Sequence, residues 1–186
     1  MKKVAIILAT ILSAYTYGQT DSTCNYRVNE VDEFTGTTKL ITQTEMYVEH
    51  TDSTLLKYYK RKPHSYFELE TYSAKVNDLR VIYFSIRIDS KNAYKYFGSI
   101  STGAKCIFKL SNGENVTLKF EKFDTGDMNY DGDYTRYSPY AIVSNEAYEL
   151  LKNNTAEKMR IYWSEGYEDY VIDYPETLKK QMNCIN

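Results

Sequence analysis

The sequence predicts a mainly β chain with some helix (α+β). The expected architecture is an antiparallel β sandwich or partial barrel of about eight to ten short strands, with two short helices near the C-terminus. Three observations predict it. Short segments alternate polar and apolar residues, the period of a half-buried strand. Turn residues separate these segments with only short connections. Near the C-terminus, Ala147, Leu150 and Leu151 instead stand three and four apart, the period of an amphipathic helix, and Pro175 fits the first turn of another.

Residues 1–18 read as an export signal, and residues 19–186 as a single β-rich domain. Lys2 and Lys3 form a positive start. Val4 to Leu12 is apolar except for Thr10, which suits a signal and is too short for a bilayer span. Thr16-Tyr17-Gly18 offers a cleavage point before Gln19. A lipoprotein signal would place apolar and small residues before its cysteine, whereas Asp21-Ser22-Thr23 precede Cys24.

Asn25 to Phe34 and Thr37 to Glu49 read as two strands around Thr35-Gly36. Thr51 to His64, with Pro63, is the least regular stretch, and Tyr66 to Tyr72 is a strand. Arg80 to Ile88 is the clearest one. Ile82, Phe84, Ile86 and Ile88 share a face, while Val81 and Tyr83 keep the other partly apolar, the pattern of a central strand covered on both sides. After the turn Asp89-Ser90-Lys91-Asn92, Ala93 to Phe97 reads as a weaker returning strand.

The hairpin around Asn112-Gly113 has two registers. A two-residue loop would mix polar and apolar residues on each face. A three-residue loop, Ser111-Asn112-Gly113, sets Phe108 opposite Val116, Cys106 opposite Leu118 and Ala104 opposite Phe120. It leaves Lys105, Lys109, Thr117 and Lys119 on the other side, so this register is expected. Tyr140 to Val143 is a short strand. Ser144 caps a helix running to about Lys152, with Ala147, Leu150 and Leu151 inward. Lys158 to Trp163 turns at Ser164-Glu165-Gly166 into Tyr167 to Ile172. Pro175 fits the first turn of a last helix to about Met182, capped by Asp173 or Tyr174.

Export favours oxidised cysteines, and Cys24 with Cys184 would tie the start of the domain to its end. Cys106 then stays free on an apolar strand face, as a small buried hydrophobe.

Several short motifs recur together: Cys24-Asn25-Tyr26, the run Asn29-Glu30-Val31-Asp32-Glu33-Phe34-Thr35-Gly36, the Ser-Asn-Gly-Glu hairpin at 111–114, Met159-Arg160-Ile161 and the closing Asn183-Cys184. On these residues the chain resembles a group of small exported bacterial proteins. The resemblance spans most of the mature chain and implies export and one domain. It implies no activity and no site residue.

Removing Lys2 and Lys3 with the signal leaves 21 basic against 25 acidic residues, a net charge of −4. That balance argues against nucleic acid, whose phosphates demand a basic face. Lys57, Lys60, Arg61 and Lys62 form the densest basic stretch and read as a solvated loop.

The chemistry-bearing residues are few. Asp127, Asn129 and Asp131, with Gly132, match the first half of a calcium loop, and Asp124 and Asp133 would add oxygens. The twelfth position is Ser138 where an EF-hand needs glutamate, and a polar loop joining strands is the competing reading. No other cofactor is expected. His50 and His64, the two histidines of the chain, lack zinc-site spacing. His50-Thr51-Asp52-Ser53 holds triad residue types without triad geometry, and Gly98 to Gly103 is neither a nucleophile elbow nor a P-loop.

Of 20 tyrosines, 18 belong to the mature chain, and Tyr130, Tyr134, Tyr137 and Tyr140 cluster beside the acidic stretch as an expected binding patch. The expected role is a non-enzymatic binding module for a protein or glycan. The alternatives are a structural or assembly subunit of the envelope, and a hydrolase with a scattered site.

Overall fold

A computed structural model of the chain describes residues 24–53, 55, 56 and 65–186. The expected signal at 1–18, the basic stretch Lys57 to Lys62 and His64 lie outside the described residues. Among the described residues there are twelve strands and three helices: β1 (Tyr26–Val31), β2 (Thr38–Thr42), β3 (Glu45–His50), β4 (Phe67–Val76), β5 (Leu79–Ile88), α1 (Ala93–Phe97), β6 (Lys105–Leu110), β7 (Asn115–Lys119), β8 (Asp127–Asn129), β9 (Tyr134–Tyr137), β10 (Tyr140–Ile142), α2 (Asn145–Asn153), β11 (Ala156–Trp163), β12 (Gly166–Val171) and α3 (Glu176–Cys184).

They build a mainly antiparallel β sandwich. The larger sheet grows from β4 and β5, two ten-residue strands paired from Phe67 with Ile88 to Val76 with Leu79. β2 and β3 lie end to end along the other edge of β4. β9 and β10 do the same along β5, and β1 and β8 finish the two sides. The smaller sheet runs β12-β11-β6-β7. Its inward residues, Phe108, Leu110, Leu118, Met159 and Ile161, share one core with Leu69, Ile82, Phe84, Ile86 and Ile88 of the larger sheet. The sheets meet at one corner, where Phe120 bridges to Ala141, without closing a barrel.

The expected hairpin register holds: Phe108 pairs with Val116 and Cys106 with Leu118, across the loop Ser111-Asn112-Gly113. Gly113 takes the left-handed conformation this loop needs, at φ +87°. Cys106 is buried and free, and burial pushes its thiol far above the ordinary range. Cys24 and Cys184 are joined as a disulfide. Beside it, the Tyr26 hydroxyl donates to the Cys184 carbonyl at 2.6 Å, so β1 is tied to α3 twice. Inside the sandwich, Gln181 donates to the Thr71 carbonyl at 2.8 Å and accepts from the Thr71 and Ser73 hydroxyls, fixing α3 on β4.

Five expectations change. Ala93 to Phe97 is helical. Ala93 and Phe97 meet the core four residues apart, while Tyr94 and Tyr96 are exposed, so the segment follows a helical face. Gly98 ends it at φ +75°, where a Cβ would collide with the Ser164 side chain. Thr37 to Glu49 divides into β2 and β3, and β3 carries a bulge at Tyr47, which explains why Tyr47 and Val48 are both buried. The turn before β2 is wider than Thr35-Gly36: Asp32 accepts the N–H groups of Phe34 and Thr35. The turn after β11 is tighter, since Trp163 pairs with Gly166 around Ser164-Glu165. Ser144 caps α2 through the Ala147 N–H, as expected, but neither Asp173 nor Tyr174 caps α3. The Asp173 carboxylate accepts the Glu49 N–H at 2.7 Å instead. Among the described residues no helix is long and apolar enough to cross a membrane.

Candidate functional site

Strand alternation divides the four tyrosines expected to form one patch. Tyr134 and Tyr137 stand three apart on β9 and therefore face opposite sides of the sheet. Tyr137 is fully buried, edge-on to Trp163, and its hydroxyl donates to the Gly98 carbonyl at 2.9 Å. Burial, helped by the nearby Asp124 carboxylate, pushes its phenol up to about 12. Tyr130 lies at a hairpin tip and is 73% exposed. Tyr134 and Tyr140 do reach the outer face of the larger sheet. Tyr134 sits against the guanidinium groups of Arg87 and Arg136, at 4.6 and 5.6 Å.

The stretch read as half a calcium loop is a β-hairpin. Asp127 and Asn129 lie on β8, opposite Arg136 and Tyr134, and Asp131 belongs to the turn between β8 and β9. The neighbouring oxygens serve the hairpin itself. Asn129 Oδ1 accepts the Gly132 N–H, Asp133 pairs with Lys91 at 2.7 Å, and Asp124 accepts from the Gly126 and Ser138 N–H groups. Among the described residues, no three His, Cys, Asp or Glu side chains are grouped to hold a metal ion.

His50 ends β3 with its ring edge-on to Tyr170. With Asp52, Tyr66 and Glu168 it lines a cavity of about 140 Å³. The hydroxyls that line it, among the described residues, are the phenols of Tyr66 and Tyr170, which burial raises above their ordinary range.

The distinctive surface is one the sequence did not assemble. Pairing register lays an apolar row across five strands on the outer face of the larger sheet: Val28 beside Ile41, Ile41 beside Ala74, Ala74 beside Val81, and Val81 beside Ile142. On one side of it runs a tyrosine row, Tyr72 beside Tyr83 beside Tyr140. On the other side Val76 faces Leu79. Within this row Ala74 and Val81 are buried, at 6% and 8% exposure. Val76, Leu79 and Ile142 remain 39%, 49% and 44% exposed.

The tyrosine row has a definite geometry. The Tyr72 and Tyr83 rings are 4.6 Å apart and 7° from parallel, so they stand upright at the spacing of adjacent strands. Tyr140 leans on Tyr83 at 5.5 Å, and the Arg27 guanidinium lies 4.5 Å from the Tyr72 ring. Partial burial raises the Tyr83 phenol, and the flanking Tyr72 and Tyr140 add to the effect. The ring faces are spent on one another, and what the row offers outward is edges and hydroxyls. A signal for this face did exist in β5, whose Val81 and Tyr83 are apolar on the side away from the core. Comparison with protein-family models, with curated proteins and with solved structures finds no match for this chain.

Proposed function

We propose that the protein is an exported, non-enzymatic binding module that docks a protein partner on the outer face of its larger sheet. The observation that carries this reading is the apolar row from Val28 to Ile142, flanked by the tyrosine row and by Val76 with Leu79. Five strands span about 19 Å, and three rows two residues apart span about 14 Å. The resulting footprint, on the order of 270 Å², is about a third of one side of a standard interface. It suits the apolar centre of such an interface, with Arg27, Lys39 and Glu30 as a polar rim. A glycan platform needs open ring faces, and the stacked tyrosines leave few, which favours a protein. Export is supported by the signal-like residues 1–18 and by a disulfide, which persists in oxidising compartments.

The test is site-specific photocrosslinking in the native envelope. Probes at Tyr83 and Ile142 should capture the same polypeptide, a probe at Thr117 on the smaller sheet should not, and Leu79→Ser with Val81→Thr should abolish the product. No shared product from the two probes rejects the reading.

A further inference from the structure

The outer face of the smaller sheet has the opposite character. It carries Lys105 and Lys119 directly opposite each other, and Lys109 directly opposite Lys158. Like charges facing each other across a ladder destabilise a sheet. Lys105, Lys109 and Lys119 have no ion-pair partner among the described residues, and Lys158 acts on Asp169 only at longer range than an ion pair. The fifth cation, Arg160, binds Asp169 through both oxygens, at 2.6 and 2.7 Å, and its guanidinium lies 4.0 Å from the Tyr167 ring. The net charge of −4 expected for the mature chain therefore hides a concentrated basic face. Along it, Lys109, Lys158 and the Arg160–Asp169 pair wall a groove of about 390 Å³.

We infer that this face binds a linear acidic glycan, a polysaccharide bearing carboxylates along its length. Lys105 and Lys109 are four residues apart on one strand, so the two lysine pairs lie about 13 Å from each other. One small anion cannot engage both, and an extended one can. Thr117 lies between them on β7 and Asn115 stands opposite Lys109, neutral groups matched to sugar hydroxyls. The groove is also lined by Ile107, Met159, Tyr170 and Val171, of which Met159 and Tyr170 are buried. A surface carrying four lysines is unlike the core of a protein interface, where lysine is depleted.

The test uses the mature chain with polygalacturonate as probe, followed by affinity electrophoresis and calorimetry. Neutral dextran, polyglutamate and vesicles of anionic phospholipid are run beside it. Polygalacturonate should bind, weakening as salt screens the charges, and dextran should not. Lys109→Ser with Lys158→Ser should weaken binding about tenfold or more, and Lys105→Ser with Lys119→Ser likewise. Lys91→Ser with Lys179→Ser, equal in net charge, should leave it within about twofold. Removing either opposed pair should leave the melting temperature at or above that of the parent, which separates lost contacts from lost folding. The inference fails if polygalacturonate does not bind, if the control pair weakens it equally, or if polyglutamate or vesicles bind more tightly. These outcomes are independent of the larger sheet, whose variants lie on the opposite face.

Discussion

Raising the pH should unfold this protein near pH 11, because its core holds acids that cannot ionise in place. Burial raises the phenols of Tyr47 and Tyr170 well above their ordinary range, and pushes Tyr137 up to about 12. Cys106 adds to the effect on Tyr47, and Glu168 and Tyr66 to that on Tyr170. Burial also raises the Cys106 thiol. A group with a raised folded pKa stabilises fully below its unfolded value and loses that contribution as pH climbs towards the folded one. The window therefore opens near pH 8.5 for the thiol and near pH 10 for the phenols. At pH 11 each unfolded tyrosine has gained about 1.4 kcal/mol by ionising, and the thiol about 3.4 kcal/mol. Three tyrosines and one cysteine together remove about 8 kcal/mol, comparable to the whole stability of a small domain. The assay follows tyrosinate absorbance and far-ultraviolet circular dichroism along one titration. Exposed tyrosines should ionise gradually, and the buried ones in a single step with loss of β signal. Ionisation of every tyrosine with the sheets intact would refute the reasoning.

The Tyr47 hydroxyl is buried without a hydrogen-bond partner among the described residues, so Tyr47→Phe should stabilise by about 1 kcal/mol in chemical denaturation. The Cys24–Cys184 bridge spans 160 residues of chain, and Cys24→Ser with Cys184→Ser should cost about 3–5 kcal/mol, read as a melting shift that reductant reproduces in the parent. Gly126→Ala should cost about 1–3 kcal/mol, since at φ +77° its Cβ would stand 2.6 Å from Thr135 and 2.8 Å from the Tyr137 ring; an unchanged melting curve would contradict that packing. Leu79→Ser with Ile142→Ser should alter stability by less than about 1 kcal/mol, whereas Phe108→Ala in the core should cost about 3–5 kcal/mol, both by urea titration.

What was legible in the sequence was what neighbouring residues decide among themselves. The 104–120 hairpin could be registered because only one loop length put Phe108 and Val116 on the same side. Ser144 announced α2, and the apolar run of β5 announced the middle of the larger sheet. Ala93 to Phe97 misled because five residues alternate almost as well as they follow a helical face, and the burial of Ala93 decided the matter. The tyrosine patch failed because proximity in sequence was used where alternation governs: Tyr137 had to turn inward once Tyr134 turned out. The outer rows were illegible for another reason. Val28, Ile41 and Ile142 are single apolar residues on weakly patterned strands, and only the pairing of β1 with β2, β2 with β4 and β10 with β5 aligns them. Likewise Lys105, Lys109 and Lys119 could be placed on one side, but the facing Lys158 arrives with β11, some fifty residues away.

Neither outer face belongs to the core between the sheets. That core is closed by residues such as Leu69, Phe84, Phe108 and Ile161, while Ala74 and Val81 are buried on the outward side. Half-exposed Leu79 and Ile142 gain little by folding, and opposed lysines weaken the ladder they belong to. Both features become favourable once something covers them, an apolar surface in the first case and an anionic one in the second. The shared core lies between the two faces, so they point away from each other and one occupant does not obstruct the other. The same alternation that fills the interior thus leaves two unlike surfaces facing outward, an arrangement fit to hold a protein on one side and an acidic glycan on the other.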